Sequence, residues 1–188
     1  MGTSSNPRSP NTPSWRIVRA VVGSAGSPID QQSREIWRAA AADLNANLIN
    51  YLSSPRVFQI AQIAQEASSP SDAVDRFAAV VRKSGNAPFL DAAAQRALLR
   101  AVAQKGGVGR FAGELLSETA AYYASRELPS VVGRAGRIGT AADAISLKGQ
   151  LRSIARSEGE GTIGSPSSSD SWATRVRTAI DKLARRKG

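Results

Sequence analysis

Through most of the chain apolar residues return every three or four positions, the period that puts them on one face of an α-helix, and no segment alternates as a half-buried strand would. The longest such run covers about residues 29–52, where Ile36, Trp37, Ala40, Leu44, Leu48 and Tyr51 share a stripe and Arg34, Arg38 and Asp43 lie off it. The run over 55–67 carries Val57, Phe58, Ile60, Ala61, Ile63 and Ala64 around more than half its circumference, which predicts the most buried helix of the set. Simpler stripes follow over 72–84 (Val74, Phe77, Ala78, Val81), 90–105 (Leu90, Ala94, Ala97, Leu98, Ala101) and 110–128 (Phe111, Leu115, Tyr122). Two more cover 140–157 (Ala144, Leu147, Leu151, Ile154, Ala155) and 172–187 (Trp172, Val176, Ala179, Ile180, Leu183).

The boundaries carry their own signals. Ser27-Pro28, Ser54-Pro55 and Ser69-Pro70 repeat one start: the Ser caps exposed backbone N–H groups, and the Pro occupies a first-turn position where its missing N–H costs nothing. Asp30 and Asp72 add a carboxylate at the positive end of two of these helices, and Thr140 supplies a further cap. Gly85, Gly106-Gly107 and Pro129 are the stops.

Together these elements predict an all-α protein, a compact bundle of six or seven helices over residues 14–157. Residues 1–13, with Pro7, Pro10 and Pro13 among Ser, Asn and Thr, read as a disordered tail. Residues 14–22 suit either a short helix or an extended segment docked on the body. Glu158 to Asp170, rich in Gly and Ser, reads as a flexible linker tethering a basic amphipathic helix over 171–188.

Composition refines that picture in two ways. Much of the 41% hydrophobic content is alanine and only 5% of residues are aromatic, so burial per residue is modest and helices can approach closely. Lys and Arg total 25 against 15 acidic residues, and the resulting charge of +10 favours association with polyanions.

The absences narrow the chemistry. The chain has no Cys and no His, and Met1 is its single Met, so disulfides, thiol nucleophiles, Ser-His-Asp triads and imidazole switches have no residues to build them. Neither a secretory leader nor an apolar run near 18 residues is present, which points to a cytoplasmic location. The expectation is a protein that works by binding, without catalysis, metal or cofactor.

Two basic segments are the candidate binding elements. In the last helix Arg175, Arg177, Lys182, Arg185, Arg186 and Lys187 stand against Asp181 alone, while Trp172, Val176, Ile180 and Leu183 form a stripe that must be covered, by the bundle or by a partner. Between 134 and 156, Arg134, Arg137, Lys148, Arg152 and Arg156 stand against Asp143, and the last three recur every fourth residue on one face. No aromatic side chain accompanies that face, which disfavours sequence-specific reading of RNA.

Other motifs carry less. Gly133 to Gly139 has the composition of a phosphate-cradling loop ahead of Thr140, but its spacing is not that of a P-loop. Gly107-Val108-Gly109-Arg110-Phe111-Ala112 matches G-x-G-x-x-A without a preceding strand and reads as an interhelical turn. Glu114 and Glu118, one turn apart, read as salt-paired residues, and Tyr122 and Tyr123 as core and boundary aromatics.

The functional expectation is a non-enzymatic binder of a polyanion, foremost nucleic acid through its phosphates, as an accessory factor or subunit. Two alternatives stand beside it: a protein-protein adaptor in a larger assembly, docking on an acidic or groove-bearing partner through its tails and the Trp172 stripe, and a membrane-surface protein laying its terminal basic helix on anionic lipid.

Overall fold

The computed structural model describes residues 46–84, 87–127 and 140–185, together with Ala20, Gln31, Glu35 and Arg38. Every element in these residues is helical: α1 (Ala46–Leu52), α2 (Pro55–Glu66), α3 (Pro70–Ser84), α4 (Pro88–Ala103), α5 (Gly107–Glu127), α6 (Ala141–Ile163) and α7 (Ser169–Arg185). Among the described residues there is no strand, and no helix is long and apolar enough to cross a membrane. Gln31, Glu35 and Arg38 are helical, as the long stripe over 29–52 predicts, but most of that stretch, the N-terminal tail and the glycine-rich loop at 131–139 lie outside the described residues.

The start signals at Ser54, Ser69 and Thr140 work as the sequence implies, and Ser27-Pro28 lies outside the described residues. The Ser54 hydroxyl accepts from Val57 N–H at 3.3 Å with Pro55 at the first turn, and the Ser69 hydroxyl accepts from Asp72 N–H at 3.2 Å while Asp72 accepts from Ser68 N–H at 2.9 Å. Thr140 and Asp143 form a reciprocal capping box on α6, and the Ser168 hydroxyl accepts from Ser171 N–H at the head of α7. The turn between α4 and α5 closes α4 with paired bonds from Lys105 N–H to the Val102 carbonyl and from Gly106 N–H to the Ala101 carbonyl, both 3.0 Å. That geometry needs a left-handed residue, and Lys105 occupies it at φ 50°.

The burial pattern places α5 at the centre. Every residue from Phe111 to Ala121 is buried, because α2, α4 and α6 all pack against this helix. The expectation that the 55–67 helix is the most buried is therefore corrected, although its buried set, Val57, Phe58, Ile60, Ala61, Ile63 and Ala64, is the predicted one. The central helix tolerates such enclosure because Ala112, Gly113, Ser117, Ala120 and Ala121 are small and let the covering helices come close, and because its buried carboxylates, Glu114 and Glu118, are paired with arginines.

Helices α5 and α6 meet at a glycine crossing. A Cβ on Gly159 of α6 would lie 2.7 Å from the Gly113 Cα of α5, and a Cβ on Gly113 would lie 2.7 Å from the Arg156 carbonyl oxygen. This contact explains why α6 runs on to Ile163, through residues the composition assigned to a flexible linker. The helix-weakening cost of Gly159 is offset by the packing that only a missing side chain allows. The connector to α7 is confined to residues 164–168.

Over that short connector α7 folds back onto the bundle. The Trp172 ring is fully buried, with the rings of Phe58 and Phe111 each 6.2 Å away between centroids, and its indole N–H donates to the Leu52 carbonyl at 2.9 Å. Val176, Ala179, Ile180 and Leu183 complete the stripe and are all buried in the same core.

Candidate functional site

Three helices carry charged residues one turn apart, and the fold sets them in register. Arg96 and Arg100 lie on α4, Glu114 and Glu118 on α5, and Arg152 and Arg156 on α6, each pair spaced by about 6 Å of helix rise. The two carboxylates on the enclosed helix are buried, with side chains only 1% and 5% exposed, and the arginines reach inward to them from both sides.

Glu118 accepts from Arg96 Nε at 3.0 Å and from Arg100 Nη1, and lies 3.4 Å from Arg152 Nη2. Glu114 meets Arg156 Nε at 2.9 Å, Arg110 Nη2 at 3.1 Å and Arg100 Nη1 at 3.4 Å. Arg110 also donates to Glu160 at 2.7 Å, extending the cluster along α6. Burial opposes ionisation of Glu118, but the Arg96 hydrogen bond and the charges of Arg152 and Arg100 outweigh it and hold the carboxyl below its ordinary value.

Five guanidinium groups therefore surround three carboxylates, leaving a local excess of two positive charges. The guanidinium groups supply more N–H donors than three carboxylates can accept, and the Nε atoms of Arg110 and Arg152 are buried without an acceptor. The outer edges stay wet: the side chains of Arg96, Arg100, Arg156 and Arg152 are 49%, 39%, 33% and 31% exposed. Lys148 continues the α6 row one turn earlier, half-buried and without an ion pair among the described residues.

A second polar node is structural. Asp91 accepts from Arg56 at 2.6 Å, Tyr51 hydroxyl at 2.9 Å and Ala87 N–H at 3.0 Å, tying α1, α2 and α4 together. Burial, then the hydrogen bond from Tyr51 to the Asp91 carboxylate, pushes the tyrosine pKa far above its ordinary value.

Of the basic residues named from sequence, Lys148, Arg152 and Arg156 lie on α6 and Arg175, Arg177 and Lys182 on α7. Arg152 and Arg156 join the cluster just described. On α7, Arg175 donates to the Ile163 carbonyl at 2.9 Å, closing the end of α6, and Lys182 donates to Thr162 at 3.0 Å with Glu158 at 3.7 Å. Arg177 is exposed and has no ion pair among the described residues. Arg134, Arg137 and Arg186 lie outside the described residues, as does the side chain of Arg185.

The Trp172, Val176, Ile180 and Leu183 stripe, considered as a docking face for a partner, is buried in the chain's own core. Folding back across a five-residue connector avoids the translational and rotational cost of meeting a second molecule, so internal docking wins. Arg96, Arg100 and Arg110, by contrast, escaped the sequence reading; the signal available was that their own i,i+4 spacing on 96 and 100 matches that of Glu114 and Glu118. No known protein family, curated protein or solved structure matches the chain.

Proposed function

We propose that this protein is a non-enzymatic binder of nucleic acid, holding the phosphate backbone through the arginine cluster of α4, α5 and α6 and acting as an accessory factor or subunit. The observation that carries this reading is the surplus of half-exposed guanidinium groups over buried carboxylates on one face of the bundle, in a chain of net charge +10. A guanidinium that spends one edge on a carboxylate still presents planar N–H donors on the other, which suits phosphate oxygens. Lys148 extends the α6 row by one turn, and the exposed Arg177 on α7 adds further positive charge. Phosphate contacts of this kind position a ligand without reading its bases, so binding is indifferent to sequence.

Fluorescence anisotropy with labelled duplex and single-stranded oligonucleotides tests the reading. Affinity falls steeply as salt is raised from about 50 to about 200 mM, with little change between oligonucleotide sequences. Absence of binding to either form at the lowest salt rejects it.

A further inference from the structure

Resting on the nucleic-acid reading, we infer that Glu114 and Glu118 are positioning residues for the phosphate-binding surface: two buried carboxylates that fix the planes of five surrounding arginines and turn their outer N–H groups toward solvent. In an interface to a polyanion a carboxylate is the wrong charge, and a surface that relied on charge alone gains affinity by losing one. These two carboxylates, however, are not on the surface. Both are nearly inaccessible, while the arginines they hold are about a quarter to a half exposed.

Three features support the assignment. The helix that presents the carboxylates is the most enclosed among the described residues, so their positions are set by the core and not by the surface. The arginines come from both flanking helices as i,i+4 pairs, Arg96 with Arg100 and Arg152 with Arg156, and converge on the same two groups. The Gly113–Gly159 crossing draws α6 against α5 beside Arg156 and Glu160, where its absence would move the α6 row away from Glu114.

An arginine side chain left to itself loses much rotamer freedom when it settles on a phosphate; one already held by a buried carboxylate loses less. The same arrangement, a ligand-binding group oriented by a carboxylate behind it, governs metal-binding histidines, and here it is applied to arginine. The partner implied is a chain of phosphodiesters, since the two α4 and two α6 arginines form rows whose steps of about 6 Å each offer successive contacts.

The test compares the native protein with Glu118→Gln on a labelled duplex oligonucleotide across a salt series, with thermal melting to confirm the fold. Charge alone predicts that Glu118→Gln binds more tightly, with a steeper salt dependence. Positioning predicts that it binds at least several-fold more weakly, with the slope of log K against log salt shallower by about 1, the loss of one phosphate contact. Tighter binding by Glu118→Gln overturns the inference while leaving the nucleic-acid reading in place; no binding by the native protein ends both. If Glu118→Gln does not fold, the charge-conserving variant Glu118→Asp decides: it withdraws the carboxylate by one methylene and leaves every arginine in place, so weakened binding supports positioning and unchanged affinity overturns it.

Discussion

Gly159 of α6 lies directly against Gly113 of α5, so close that the first carbon of any side chain on Gly159 would stand 2.7 Å from the Gly113 Cα. Replacing Gly159 with Ala forces the two helices apart or distorts them, an overpacking cost of about 1–3 kcal/mol. Gly149 and Gly161 of the same helix meet nothing within 4 Å, so Ala at either position stabilises by up to about 1 kcal/mol through helix propensity. Urea denaturation of the three single variants checks the opposite signs.

Trp172→Phe keeps an aromatic ring between Phe58 and Phe111 but removes the donor to the Leu52 carbonyl. A buried acceptor left without its bond costs about 1–3 kcal/mol, and Trp172→Ala costs about 3–5 kcal/mol as the core opens. Calorimetric melting measures both, and the order of the two variants is the expectation.

The Glu118 carboxyl is held below its ordinary value, so the folded state favours the ionised form. Its contribution to stability is fully present above the ordinary carboxylate range and is lost as pH falls through the lowered folded value. Denaturant midpoints measured from neutral pH downward therefore decline, and Glu118→Gln shows a shallower decline over the acid limb.

Asp91→Asn removes the charged acceptor shared by Arg56, Tyr51 and the Ala87 N–H, in a pair whose side chains are 12% and 8% exposed, and destabilises the fold by about 1–3 kcal/mol. Tyr51 donates to the same carboxylate and is held in its neutral form, so its raised pKa contributes stability below the ordinary tyrosine value that is lost as pH rises toward the folded one. An absorbance titration shows this one phenol resisting ionisation until the protein unfolds, a delay that Asp91→Asn shortens.

Local chemistry made most helices readable. Ser54-Pro55, Ser69-Pro70 and Thr140 announce helix starts because capping is satisfied within four residues, and the 55–66 stripe is a local periodicity. The errors arose where distant residues decide. Gly159 looks like a linker residue unless the opposing Gly113 is known, and α5 reads as an ordinary amphipathic helix until three neighbours close around it. An amphipathic stripe such as that of Trp172 says that something must cover it and not what does. Half of the candidate site was hidden for the same reason: Arg152 and Arg156 stand out as a periodic row, whereas Arg96 and Arg100 gain their meaning only from Glu118, which lies 22 and 18 residues further along the chain.

The bond from Trp172 to the Leu52 carbonyl joins residues 120 positions apart. During synthesis the earlier helices emerge with a gap where this ring belongs, and the aromatic faces of Phe58 and Phe111 remain uncovered until the last of the described helices leaves the ribosome. Ribosome-stalled or prematurely terminated products that lack α7 thus display an open apolar seam that chaperones can recognise, and docking of α7 covers it.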